Sequence, residues 1–268
     1  MPTPKDAIKK YTEPWSLLTA EQLAFMGASA WSFQKFRHWH HWPSVNDYQK
    51  VWQKSKRPDF NQNISFSEQL AIGQRSRRKL REKLRKQNKT LVDTYVESII
   101  LEQRVPTRPQ NWHDFFNFNI WLSFAESKWS LHHRFYTSRG TNRTLRASHY
   151  RTSEEDLLTS LDEGGALLAC LPEELESVSA SLKSRNIEKK SALILKPNIE
   201  FVVFGHGVIE SVLAGECQLN LLTIPIPVPF SFFQSDEMKK TEFLDCRLAK
   251  QIKDFKLDLA GSFPLFNQ

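Results

Sequence analysis

Apolar residues recur at helical spacing over much of the chain, so the sequence predicts a largely helical protein. The ranges that show this spacing are residues 16–56, 90–103, 111–129 and 239–259. Asn111, followed three residues later by Asp114, is typical of a helix start, because both side chains can accept hydrogen bonds from first-turn amides. Ser65 begins another predicted helix, which continues into the strongly basic stretch 74–89.

Short apolar runs in the second half of the chain predict strands. They are residues 166–171, 191–195, 201–204 and 224–229. Successive amides of a strand point to opposite sides, so Pro225, Pro227 and Pro229 remove donors along one side only. We expect this segment to pair along one edge, or to form an extended polyproline segment. The predicted fold class is α+β, mostly helical, with a small mixed or antiparallel sheet in the C-terminal half.

Composition excludes several classes of protein. The 268 residues include three cysteines and no Cys-x-x-Cys pair, which excludes a disulfide scaffold and a cysteine-based zinc finger and suits a reducing cytosol. The most apolar run, residues 221–233, contains three prolines and is shorter than the roughly 20 residues of a membrane helix. The N-terminus has no apolar stretch typical of a signal peptide. We therefore expect a cytoplasmic protein that does not enter a membrane.

Positive charge is concentrated in the first part of the chain. The net charge is +7, and residues 1–100 carry 18 basic and 9 acidic residues while residues 101–268 carry 19 and 21. We predict a basic, aromatic-rich helical part over residues 1–92 and an α+β core over residues 93–268, packed as one globular unit. The stretch 74–89 is either a solvated helix face or a surface for phosphates.

The predicted helix over residues 111–129 carries polar groups that its apolar surroundings do not explain. His113 and Asn117 lie four residues apart and therefore on one face, and Lys128 projects near the same line. A buried polar group without a partner costs roughly 1–3 kcal/mol. Capping accounts for Asn111 and Asp114, whereas a functional and a structural role for His113 both remain open.

Two further sites carry candidate chemistry. Asp162 and Glu163 precede two glycines at a predicted turn, where adjacent carboxylates bind a metal, serve as acid and base, or are simply solvated. His206 lies between Gly205 and Gly207, where a predicted strand passes into a helix. The positive helix end disfavours imidazolium, so His206 is expected to be neutral near pH 7 and able to accept a proton, unless it only caps the helix.

The order of these motifs resembles a known family. The motifs are Val105-Pro-Thr-Arg108 with Asn111-Trp-His-Asp-Phe-Phe-Asn117, then Leu161-Asp-Glu-x-Gly165-Ala166, then Phe204-Gly-His-Gly-x-x-Glu210. Over about residues 90–268 the chain is similar to a bacterial family, found mainly in proteobacteria, that is catalogued as a domain of unknown function. The resemblance implies that the histidines, Asp114, Asn117 and the Asp162–Glu163 pair belong to recurring motifs of one fold.

The leading interpretation is a hydrolase-like enzyme that acts on an anionic, phosphate-bearing substrate. Its pocket lies between the 111–129 helix, the Asp162–Glu163 turn and His206. One histidine acts as general base, or both bind a divalent metal with Asp162 or Glu163, and Asn117 stabilises an oxyanion. The predicted catalytic residues are His113, Asp114, Asn117 and His206. The predicted anion-binding residues are Lys128, Arg139, Arg143 and Arg151, the last three from an arginine-rich loop over residues 139–151.

Two alternatives remain open at this stage. A non-catalytic module would bind nucleic acid through the helix over residues 75–89 and the arginine loop, with a steep dependence on salt. A purely structural interaction protein would use every polar motif residue as a cap or a core hydrogen-bonding group.

Overall fold

A computed structural model describes most of the chain. The described residues are 24–36, 41–55, 60, 62–69, 95–141, 152–216, 218–254, 257 and 260–266. They fall into two compact units, one within residues 43–110 and the other within residues 1–42 and 111–268. The predicted boundary at residue 92 lies outside the described residues.

The unit within residues 43–110 contains a small parallel sheet. Its elements are α1 (Val45–Ser55), β1 (Ser65–Glu68), α2 (Tyr95–Glu102) and β2 (Arg104–Thr107). The predicted helix start at Ser65 is wrong, because this segment pairs with β2 and the Ser65 amide donates to the carbonyl of Gln103 at 2.8 Å. The basic stretch 74–89 lies outside the described residues.

The larger unit consists of helices around a four-stranded sheet. Its α-helices are α3 (Trp112–Ser123), α4 (Ala125–Thr141), α5 (Ser153–Gly164), α6 (Leu175–Lys183), α7 (Ile187–Ser191), α8 (His206–Leu213) and α9 (Glu237–Asp254). Shorter 3-10 segments are Gly27–Phe36, Pro172–Glu174, Ala192–Leu195 and Phe230–Gln234. The strands are β3 (Gly165–Cys170), β4 (Ile199–Val203), β5 (Gln218–Pro227) and β6 (Gly261–Phe266). None of the helices in the described parts is long and apolar enough to cross a membrane.

The sheet is mixed, with strand order β4-β3-β5-β6. β3 runs parallel to β5, while β4 and β6 pair antiparallel with their neighbours. Every residue of β3 is buried, as expected for a central strand covered on both faces. The prediction of a mostly helical α+β protein with a small sheet in its C-terminal half is confirmed.

The proline-rich part of β5 pairs along one side only, as the sequence predicts. Residues 222–227 pair with β3, whereas the pairing with β6 covers residues 218–223 and ends before Pro225. Pro225 and Pro227, which have no amide hydrogen to donate, therefore lie beyond the end of the pairing with β6, where no donor is needed on that side. The chain continues along β3 to Val228, whose amide donates to the Cys170 carbonyl at 2.8 Å.

Two predicted elements differ from the structure. The predicted helix over residues 111–129 is interrupted at Phe124. Just after this residue, the buried carboxylate of Asp245 on α9 accepts hydrogen bonds from the amides of Glu126 (3.0 Å) and Ser127 (2.7 Å). These hydrogen bonds cap the start of a new helix, α4. That helix extends to residue 141, into the predicted loop over residues 137–153.

The predicted strand over residues 191–195 is also wrong. Residues Ala192–Leu195 form a 3-10 helix that closes with a hydrogen bond from the Lys196 amide to the Leu193 carbonyl. Leu193 is buried, but Ile194 and Leu195 are both exposed, so the run lacks the alternating burial of a strand.

Candidate functional site

Three elements distant in sequence bring polar side chains to one place. His113 lies in the first turn of α3, whose start is capped by the Asn111 side chain accepting from the Asp114 amide at 3.1 Å, as predicted. Glu163 lies at the end of α5, and His206 is the first residue of α8. The predicted turn at residues 162–165 is wrong, because α5 continues to Gly164 and β3 begins at the next residue.

The two histidines are in direct contact. Their Nε2 atoms lie 2.9 Å apart, and the rings meet edge to face with centroids 4.4 Å apart. The His206 side chain is 4% exposed, whereas the His113 side chain is 30% exposed. The pair therefore has one ring in the protein interior and one at its surface.

The other nitrogen of each ring has an acceptor partner. The Nδ1–H of His206 donates to the backbone carbonyl of Asp162 at 2.8 Å. Nδ1 of His113 lies 2.9 Å from a carboxylate oxygen of Glu210, to which it donates. Because Nδ1 of each ring carries a proton, a neutral imidazole has its lone pair on Nε2. Two neutral rings would thus direct lone pairs at each other.

Glu163 completes the cluster. Its Oε2 lies 3.4 Å from Nε2 of His206, and one ligand-type atom from each of Glu163, His113 and His206 lies within 4.8 Å of the others. The glycines beside His206 permit this approach. A Cβ on Gly205 would lie 2.6 Å from the Glu163 carbonyl oxygen, and one on Gly207 would lie 2.9 Å from the same atom. Glycine is required at these positions because the α5 backbone lies against them.

The pKa values of the two histidines are shifted in opposite directions. Burial disfavours the charged form of His113, but the hydrogen bond to Glu210 and the charge of Glu163 outweigh it, so the pKa of His113 is raised. Burial and the Lys128 charge hold the pKa of His206 well below its ordinary value, so this ring is neutral. Burial and the charge of Asp162 raise the pKa of Glu163.

Lys128 and Asp162 form a buried ion pair near the cluster of His113, His206 and Glu163. Nζ of Lys128 donates to a carboxylate oxygen of Asp162, and the Lys128 side chain is fully buried. Burial raises the pKa of Asp162, but the Lys128 charge outweighs it and holds that pKa below its ordinary range. This placement does not fit the predicted role of Lys128 in binding an anionic substrate, because its charge neutralises Asp162. The Asp162 carboxylate likewise is not one of the three clustered groups, and the Asp162 carbonyl is the group that accepts the hydrogen bond of His206.

A cavity of about 420 Å³ opens beside the histidine pair. His113, Glu163 and Glu210 line it together with residues of α8 and of the start of β5. Of its described lining residues, none is a lysine or an arginine. The volume lies within the range of small-molecule sites, so a substrate-sized molecule can reach His113 and Glu163.

Several predicted site residues are not brought to this cavity. Asn117 and Asp114 are buried on α3 and do not line it, although the Asp114 charge contributes to the raised pKa of His113. Arg139 lies near the end of α4 and its side chain is not described, and Arg143 and Arg151 lie outside the described residues. Their anion-binding roles stay predictions.

Sequence reasoning missed Glu210, which orients His113. A signal for it was present, because Glu210 follows His206 by four residues and so lies on the same face of α8. It also closes the Phe204-Gly-His-Gly-x-x-Glu210 motif. The motif thus supplies one clustered histidine and the carboxylate that holds the other.

Comparison with known protein families gives a match over most of the chain. The family described as "Protein of unknown function (DUF3025)" matches residues 82–264, which is more than half of the chain and includes all the clustered residues. No curated protein and no solved structure matches the chain. The chain therefore belongs to the DUF3025 family.

Proposed function

We propose that the chain is a hydrolase that activates water at the His113–His206 pair, where His113 lines the cavity. The observation that carries this proposal is the convergence of two imidazoles and the Glu163 carboxylate from three separate elements, with His113 and Glu163 lining one substrate-sized cavity. Hydrolysis needs a group that activates water and a space in which the substrate meets that water. The proximity of His113 and Glu163 to the cavity supports the proposal on both counts.

The surroundings of each ring support a catalytic role. The hydrogen bond from His113 to Glu210 orients the ring, in the way that a carboxylate orients the imidazole of a general base, and leaves Nε2 at the contact with His206. His206 is held by the Asp162 carbonyl in the same manner. Neither ring can rotate without losing a hydrogen bond, so the geometry is fixed before substrate arrives.

Hydrolysis of chromogenic probes tests this proposal. We suggest p-nitrophenyl acetate, p-nitrophenyl phosphate, bis(p-nitrophenyl) phosphate and alanine p-nitroanilide, which cover ester, phosphoester and amide chemistry. We expect at least one to be hydrolysed, with kcat lowered about 10²–10⁴-fold by His113→Ala and by His206→Ala. His133→Ala, at an exposed position on α4, is the matched control and should keep the rate. Unchanged rates in the two site variants, or no hydrolysis of any probe, would contradict the proposal.

The preference for a phosphate-bearing substrate and the nucleic-acid-binding alternative stay predictions. The first rests on Lys128 and the arginine-rich loop over residues 139–151, and the second on the helix over residues 75–89 and the same loop. Residues 75–89 and 142–151 lie outside the described residues.

A further inference from the structure

We infer that His113, His206 and Glu163 form a binding site for one divalent transition-metal ion of the zinc class, with Nε2 of each ring and a Glu163 carboxylate oxygen as ligands. This inference rests on the proposed function, to which it assigns the agent that activates water.

A cation is needed between the two rings. With both Nδ1 atoms donating, neutral rings place two lone pairs 2.9 Å apart, which is a repulsive arrangement. A proton or a metal ion relieves it. Two imidazoles bound to one tetrahedral zinc ion place their nitrogens about 3.3 Å apart, from the 2.0–2.1 Å Zn–N bond. The observed spacing is thus within a few tenths of an ångström of what a shared metal requires.

The charge around the site favours a doubly charged ion. Lys128 neutralises Asp162, whereas the partners of Glu163 and Glu210 are histidines. With neutral rings, these two carboxylates leave two negative charges beside the cluster. A shared proton compensates one of them, and a divalent metal ion compensates both. Coulombic attraction is stronger at a partly buried site than in water, so this difference favours a divalent ion.

The arrangement also has the outer contacts that metal sites require. A metal-bound histidine usually donates its second N–H to a carboxylate or a backbone carbonyl, which fixes the ring and makes it a better ligand. His113 has the first type of partner in Glu210 and His206 has the second in Asp162. Each ring therefore has the outer hydrogen bond of a metal-bound histidine, to a carboxylate in His113 and to a backbone carbonyl in His206.

The ligand types indicate the metal and its chemistry. Imidazole nitrogens suit zinc and its neighbours, whereas magnesium and calcium prefer sites made of oxygen ligands. Three protein ligands leave a fourth position open, as in catalytic zinc sites. Glu163 is 48% exposed and lines the cavity, so a metal ion held there would be accessible from the cavity. A metal ion held there would lower the pKa of its bound water toward neutrality and so would supply the nucleophile for hydrolysis.

Titration of chelator-treated protein with ZnCl₂ by calorimetry tests the inference. We expect one high-affinity zinc ion per chain, with affinity lowered at least about 100-fold by His206→Ala and by Glu163→Gln. Removal of an outer partner by Glu210→Ala should lower it about 10–100-fold. His133→Ala and Glu188→Gln, both at exposed positions, are matched controls and should bind as the natural chain does. Glu163→Gln removes a charge without a change of size, so it keeps the test valid where a histidine variant unfolds.

The outcomes separate the metal from the hydrolase. The metal site is overturned if the natural chain binds no zinc, or if Glu163→Gln and His206→Ala bind zinc as tightly as the natural chain does. Hydrolysis by chelator-treated protein at the full rate overturns the role of the metal as the agent that activates water, yet it leaves the hydrolase proposal standing. One zinc ion bound through these residues without hydrolysis of any probe supports the metal site and refutes the hydrolase proposal.

Discussion

Replacement of Lys128 by methionine leaves a buried carboxylate without its counter-charge, and we expect a large loss of stability. Lys128 is fully buried and its ammonium is bonded to Asp162, whose side chain is 14% exposed. Methionine fills a similar volume, so the main effect is the loss of charge. A carboxylate in such a place must then stay ionised in a poor solvent or take up a proton.

The size of this effect follows from the burial of the pair. Removal of one partner from a buried ion pair costs about 3–5 kcal/mol. Domains are stable by about 5–15 kcal/mol, so Lys128→Met should remove a large share of the total. For a unit of this size the melting temperature should fall by roughly 6–20 °C, from about 2–4 °C per kcal/mol. The surface control Lys183→Met should change stability by less than about 0.5 kcal/mol.

Urea unfolding of chelator-treated protein measures the loss, and a second substitution tests its cause. If the unpaired charge is responsible, Lys128→Met combined with Asp162→Asn should recover more than half of the lost free energy of unfolding. A loss below about 1 kcal/mol in the single variant, or a double variant no more stable than the single one, would refute this account of the ion pair.

Three further substitutions test other parts of the structure. Gly205→Ala places a Cβ 2.3 Å from the Gly165 amide nitrogen and should cost at least about 1–3 kcal/mol in chemical unfolding, whereas Gly164→Ala, with open space around it, should cost nothing measurable. Asp245→Ala leaves two amides at the start of α4 without their acceptor and should lower the free energy of unfolding by about 1–3 kcal/mol; an unchanged midpoint would contradict this. Burial lowers the pKa of His132 to about 3 in the folded protein. As the pH decreases from about 6.5 toward 3, the unfolded chain therefore binds a proton on this ring that the folded protein does not bind. The free energy of unfolding should fall over that range. His132→Phe should flatten that slope in metal-free protein, and identical slopes would argue against a buried neutral ring.

The parts of the fold that could be predicted are those set by local chemistry. The cap at Asn111 depends on side chains within one turn, and the one-sided pairing of β5 depends on the prolines themselves. The start of α4 could not be predicted in the same way, because its cap is Asp245, which is 118 residues away from Ser127. Ser65–Glu68 is a strand because β2 provides a partner, and the periodicity of the following residues gave no sign of it.

In the candidate site, too, some positions could be predicted from the sequence and others depend on contacts that only the fold provides. The meeting of His113, His206 and Glu163 could be expected because polar groups in apolar helices and at glycine-flanked helix starts need partners. The position of Lys128 could not, because a lysine on a helix is ordinarily solvated and only the fold shows Asp162 beside it. Glu210 was within reach of a helical-face argument from His206, since the two are one turn apart on α8.

The most direct test of the central claim is anomalous X-ray diffraction from crystals soaked with zinc. The account predicts one strong anomalous peak about 2.0–2.2 Å from Nε2 of His113, Nε2 of His206 and a carboxylate oxygen of Glu163, with further density on the cavity side. A map with no peak between the two rings, in crystals grown at neutral pH with zinc in excess, would show that the imidazoles share no metal.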